Sequence, residues 1–210
     1  METKNFREIF LFILFVVLFH SYIPTILETL SANGSADFQW QPTKCTFNGV
    51  NHYEAYLSGN GKCQTFMSQT GEYAQGLYII LYPFSIFEWE TAKSLWFLLN
   101  IFLIFFLIFS LCRKFKVGLI ETYLIIFFIF YSIIVRVNLV MGQQTIFTLF
   151  FLSLPFIYKS RFTSILSGIC YFKYNIGYAL FLFYLISKEY KKLFLSSIPI
   201  FFGLITYCFV

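Results

Sequence analysis

Apolar positions in this chain come in long unbroken runs, each closed by a short charged or glycine-containing tract. A helix needs about 20 apolar residues to cross a hydrocarbon core of about 30 Å, so the longest runs predict membrane helices. The first, IFLFILFVVLFHSYIPTIL, stands behind Lys4 and Arg7 and predicts one span. It is long for the apolar part of a secretory signal, which favours an uncleaved signal anchor even though SANGSA imitates a cleavage site. Residues 29–76 form the one substantial polar segment, with Asp37, Glu54, Glu72 and the tract LSGNGKCQ. LYIILYPFSIF is too short to cross and carries Pro83, which predicts an interfacial or re-entrant helix. Beyond it, 91–111 predicts a full span, CRKFK a basic turn and 119–135 a return span. RVNLVMGQQT reads as a polar interruption, and 146–158 as a further apolar segment ending at YKSRF.

Residues 162–187 admit two readings. One long helix would put YKSR and KEYKK on opposite sides of the bilayer, against the tendency of basic residues to share a side. A hairpin of two arms, each about 12 residues and so roughly 18 Å long, keeps them together and stops short of crossing. We favour the hairpin. Its apex is FKYNIG, which holds Lys173 among apolar neighbours. Broken backbone at that depth is tolerated only where it lines a cavity or is covered by protein.

Composition agrees with this pattern. Hydrophobic residues make up 59% and charged residues 12%, and the mean hydropathy is +0.73. A soluble domain cannot hide that much apolar surface, so the fold class is an all-α integral membrane protein. It is treated as one membrane domain over 1–210, with residues 29–76 as an extracytoplasmic loop. Phe, numbering 31, is inflated together with Ile, Tyr, Asn and Lys, which reads as compositional bias. The net charge of +5 fits positive cytoplasmic loops and calls for no nucleic acid. Lys4, Arg7, Arg113, Lys114, Lys116, Lys159, Arg161, Lys188, Lys191 and Lys192 can all lie on that side. The N-terminus is then cytoplasmic, in a plasma (inner) membrane. Cys112, Cys170 and Cys208 sit in or beside apolar runs as core filler, while Cys45 and Cys63 share the polar loop and can pair if it faces an oxidising compartment. His20 and His52 are too isolated to suggest a metal. The closing FFGLITYCFV has no polar end, so a longer protein is expected.

Polar groups converge on the outward half. Asp37 follows the first span, Arg136 ends the third, Gln143 and Gln144 open the fourth, and Lys173 lies at the apex. A carboxylate there can take a proton from an acceptor hydroxyl, and fixed cations can stabilise charge growing on a leaving phosphate. Asp37 is equally readable as an ordinary loop acid, Arg136 as a residue reaching for the interface, and Gln143 as a helix cap. Lys173 is the hardest to explain away.

On these residues the chain resembles the GT-C class of polytopic membrane glycosyltransferases, most closely glycosyltransferase family 87, the polyprenol-phosphate-mannose-dependent mannosyltransferases. The matching features run in order: Asp37; NGVNHY with Gly49 and Tyr53; EYAQGLYIILYPFSIF; AKSLWFLLN with Ala92, Trp96 and Asn100; MGQQT; and SGICYFKYNIGYALFLFYL. Ala74 stands where the family has its first Pro, Thr145 where it has Asn, and no Pro follows Lys173. The resemblance implies a GT-C-like helical bundle that transfers a sugar, mannose by the family's habit, with inversion. The donor is a polyprenyl-phosphate-linked sugar and the acceptor a glycolipid or glycan hydroxyl on the outer face. Asp37 would be the base, Gln143 and Lys173 would border the donor phosphate, and His52 and Tyr53 would meet the acceptor or sugar. Arg136 joins the phosphate site on position and charge. Neither a cofactor nor an obligatory metal is expected. The rival readings are a transporter or flippase for a lipid-linked or anionic substrate, and a non-catalytic membrane subunit.

Overall fold

The computed structural model describes residues 2–58 and 73–207. It is 81% helical with no strand among the described residues, in keeping with the all-α membrane class. Helix α1 (Glu2–Leu30) leads into a loop followed by two short helices, α2 (Trp40–Phe47) and α3 (His52–Ser58). Then come α4 (Gly76–Ser85), α5 (Trp89–Lys114), α6 (Leu119–Tyr131), α7 (Ile133–Val140) and α8 (Thr145–Ile157). The chain ends in α9 (Arg161–Ser167), a 3-10 turn over Gly168–Phe172, α10 (Tyr174–Ile186) and α11 (Tyr190–Tyr207).

Two helices are long and apolar enough to cross a bilayer, Glu8–Leu30 and Trp89–Lys114. A third crossing is available if α6 and α7, bent by 58° at their junction, form one span. That bend revises the expectation for 119–145. The stretch RVNLV is not an interruption but the rest of α7, because Leu139 is buried with Tyr22 of α1 and Phe130 of α6 and Val135 packs against the same cluster. The true break comes earlier, at Ser132, whose backbone is extended (φ −60, ψ 128). The polar segment is also more structured than its composition suggests. Phe38 and Trp40 are buried in the main core with Leu77, Trp89, Trp96 and Phe147, and Trp40 Nε1 donates to Phe87 O at 3.1 Å. Cys63 and most of LSGNGKCQ lie outside the described residues, as does Cys208.

The 162–187 run is broken at Lys173 (φ −107, ψ 89), between the 3-10 turn and α10. A Cβ placed on Gly177 would come within 2.5 Å of Tyr171 Cα. In a straight helix those two residues are separated by a rise of about 9 Å, so the chain turns sharply here and one long helix is excluded.

At the far end of α5, Lys114 Nζ donates to Phe156 O, and Ser110 Oγ lies 3.2 Å from Tyr158 Oη. Arg113 and Lys114 share a groove with Tyr158, and Lys159, Arg161, Lys191 and Lys192 share the next one. Six of the ten basic residues grouped by sequence therefore gather at one end of the bundle.

Candidate active site

Three chain breaks build the opposite end: the loop after α1, the turn between α7 and α8, and the break before α10. The loop after α1 is held on the α7–α8 turn by its backbone. Ser35 N donates to Val140 O at 2.5 Å, and Asp37 N donates to Met141 O at 2.8 Å. Ser35 (φ 64) and Gln39 (φ 63) both adopt the left-handed conformation on either side of Asp37. Each such residue costs of order 1 kcal/mol, and strain of this kind concentrates at functional sites.

The turn itself requires Gly142. Its φ is +66, and a Cβ there would sit 3.0 Å from Ser35 Cβ and 3.1 Å from Phe38 Cβ. Buried Trp96 donates from Nε1 to Gly142 O at 2.8 Å. Phe38 stacks on the same indole, with centroids 4.9 Å apart. One aromatic residue of α5 thus pins both the loop that carries Asp37 and the turn that carries Gln143.

From that frame a directed chain of hydrogen bonds runs across the site. Lys173 Nζ donates to Thr145 Oγ1 at 2.6 Å. The Thr145 hydroxyl donates to Gln143 Oε1 at 3.3 Å, and Gln143 Nε2 donates to Asp37 Oδ2 at 3.2 Å. Buried Gln144 braces the same loop by donating to Asp37 O at 3.1 Å. A cation and a carboxylate thus stand at the two ends of a three-bond relay, each half-buried, and their charges attract one another. On the other side Lys173 Nζ faces the Tyr73 ring at 5.7 Å. The Tyr53 hydroxyl donates to Tyr73 O at 3.1 Å, which ties α3 into the same cluster.

The remaining candidates are placed differently. His52 is buried (4% exposed) between the rings of Tyr53 and Tyr78, with Nδ1 2.8 Å from Thr46 Oγ1. Burial holds its pKa down at about 4, so the ring is neutral. Arg136 lies over the Tyr131 ring at 5.8 Å and beside Tyr22. These neighbours are on α1 and α6, not in the relay. No cluster of three or more His, Cys, Asp or Glu able to hold a metal occurs among the described residues.

A model of glycosyltransferase family 87 matches residues 73–209. The chain belongs to this family. Nothing among curated proteins or solved structures matches it. The family 87 match includes Gln143, Thr145 and Lys173, while Asp37 lies ahead of its first residue. Membership establishes a membrane glycosyltransferase, which implies a sugar donor and an acceptor.

Several members of this cluster are marked in the sequence only as positions within the resembling segments, with no role or partner attached. Thr145 stands out as a departure from the family's Asn, Trp96 as a matching aromatic of AKSLWFLLN, and Tyr73 only as part of EYAQGLYIILYPFSIF. Only the placement of MGQQT beside Lys173 shows what Thr145 does.

Proposed function

We propose that this family 87 chain transfers mannose from a polyprenyl-phosphate carrier to an acceptor hydroxyl on the outer face of the membrane, with inversion. The acceptor oxygen attacks the anomeric carbon as the bond from that carbon to the phosphate oxygen breaks. The acceptor proton passes to the Asp37 carboxylate, and the polyprenyl phosphate leaves carrying the displaced electron pair. Lys173 faces that developing charge with two ammonium hydrogens that no described residue accepts, and Gln143 orients Asp37 through its amide. Tyr53 borders the acceptor side, with His52 behind it. Arg136 contributes as a more distant cation.

The observation that supports this reading is the relay from Lys173 through Thr145 and Gln143 to Asp37, which brings a cation and a carboxylate into one wall. The outward assignment has two supports. Cys45, in α2 beside this wall, is disulfide-bonded, and disulfides persist in oxidising compartments. The basic residues gather at the opposite end.

The test is incubation of membranes holding the full-length protein with radiolabelled polyprenyl-phosphate mannose. Wild type should move label to a glycolipid or glycan, and Asp37→Asn should lose at least about 100-fold of that transfer while still binding donor. Transfer surviving in Asp37→Asn would remove Asp37 as the base. Label accepted only from glucose- or arabinose-linked donors would change the sugar but keep the mechanism. Label crossing sealed vesicles without forming a glycosidic bond would replace the enzyme reading with a transporter.

A further inference from the structure

The basic end of α5 carries a second place fit for a lipid. Phe102, Phe106 and Phe109 lie along one face of the helix, at spacings of four and three residues, and all three are exposed. They wall a groove of about 880 Å³ that ends on Arg113, Lys114 and Tyr158. Exposed phenylalanines alone describe any surface bathed in acyl chains. Here the apolar wall leads straight into two cations, with no acidic residue in the lining. Lys114 is tethered to Phe156 O, and Ser110 and Tyr158 close the polar rim at 3.2 Å. Arg113 is exposed and makes no ion pair with a described residue, so its planar fork is free for an oxyanion.

We propose that this groove binds one anionic bilayer phospholipid, with an acyl chain along Phe102, Phe106 and Phe109 and the headgroup phosphate on Arg113 and Lys114. It is not the donor site. Trp96 marks the level of the relay on α5, and Arg113 lies 17 residues further along the same helix, about 25 Å away. A phosphate held there cannot reach Asp37 or Lys173. The occupant is therefore a resident lipid that anchors this end of the helix in its leaflet, where basic pockets between helices favour anionic headgroups.

The full-length protein in mild detergent, offered equal amounts of phosphatidylglycerol and phosphatidylcholine, would be examined by native mass spectrometry. Wild type should retain one phosphatidylglycerol with about a tenfold preference over phosphatidylcholine. Arg113→Gln, which disturbs no described contact within the protein, should cut that preference several-fold, and Arg113→Gln with Lys114→Gln should remove it. Lys191→Gln with Lys192→Gln in the neighbouring groove should leave it within about twofold. Equal retention of the two lipids by wild type would overturn the proposal. So would an unchanged preference in Arg113→Gln, or an equal loss in the Lys191 and Lys192 variant, since each would mean diffuse attraction rather than a site.

Discussion

Two lysines sit within the helical body of this protein, and they are held in opposite ways. Lys93 is fully buried, and all three of its ammonium hydrogens are used: on Leu30 O at 2.9 Å, Ser31 O at 2.6 Å and Glu90 Oε2 at 2.6 Å. It caps the C-terminal end of α1, where orphan carbonyls and the helix dipole both favour a cation. Lys173 is only half-buried and makes one hydrogen bond, to Thr145, plus a ring contact with Tyr73. The saturated lysine holds α1 to α5 and has nothing left to offer a substrate. The other stands at a chain break with two hydrogens that no described residue accepts. Counting the acceptors around a cation therefore tells a lysine committed to holding helices together from one with hydrogens left for a ligand better than burial does.

The sharpest break of that comparison is to replace each lysine by Met. Lys173→Met should lower sugar transfer by about 100-fold or more and leave the melting temperature in detergent nearly unchanged. Lys93→Met should do the reverse. It strands the two backbone carbonyls, while the exposed Glu90 carboxylate turns to water, at a cost of about 2–3 kcal/mol, seen as a lower melting temperature, with the kcat of the surviving protein largely kept. If the two variants exchange effects, the roles assigned here are exchanged as well.

Removing only the tether asks a finer question. Thr145→Val leaves Lys173 charged but deprives it of its acceptor, and should lower transfer by about tenfold, the worth of one hydrogen bond to a charged group. Thr145→Ser should restore most of it. A loss that Ser does not rescue would assign the effect to packing around the turn instead.

The smallest effect belongs to a third buried basic group. His52 has one hydroxyl partner at Nδ1 and none at Nε2 among the described residues, and burial keeps it neutral, at about 4 against an ordinary 6.5. The sign follows. Above 6.5 neither the folded nor the unfolded ring is protonated, so His52 adds no pH dependence. Below 6.5 the unfolded ring gains a proton first, and stability falls until the folded ring also titrates near 4. Wild type should therefore lose melting temperature between pH 6.5 and about 4 more steeply than His52→Phe. Parallel curves would mean that the folded ring takes up its proton at the same pH as the unfolded one.

Much of this protein was determined by sequence alone, because hydrocarbon imposes one rule on every residue of a span. Backbone groups must pair within the helix and side chains must be apolar, so runs such as 91–111 announce themselves without reference to any neighbour. The break at Lys173 was legible for the same reason: two arms too short to cross, with a charge between them. The order of Asp37, MGQQT and Lys173 along the chain was enough to suggest glycosyl transfer. What sequence could not determine is everything that depends on which turn meets which. RVNLV carries Arg and Asn and so reads as an interruption, until packing on α1 shows which side of it is apolar. Lys93 draws no reading from the sequence, since its acceptors Leu30 O and Ser31 O reach it only when the end of α1 is brought onto α5. The relay from Lys173 to Asp37 joins residues 136 positions apart, through a threonine whose partners nothing in the local sequence specifies. Such contacts belong to no single segment. They exist only because Trp96 and Phe38 stack and fold the first loop onto the α7–α8 turn, and that is a decision of tertiary packing.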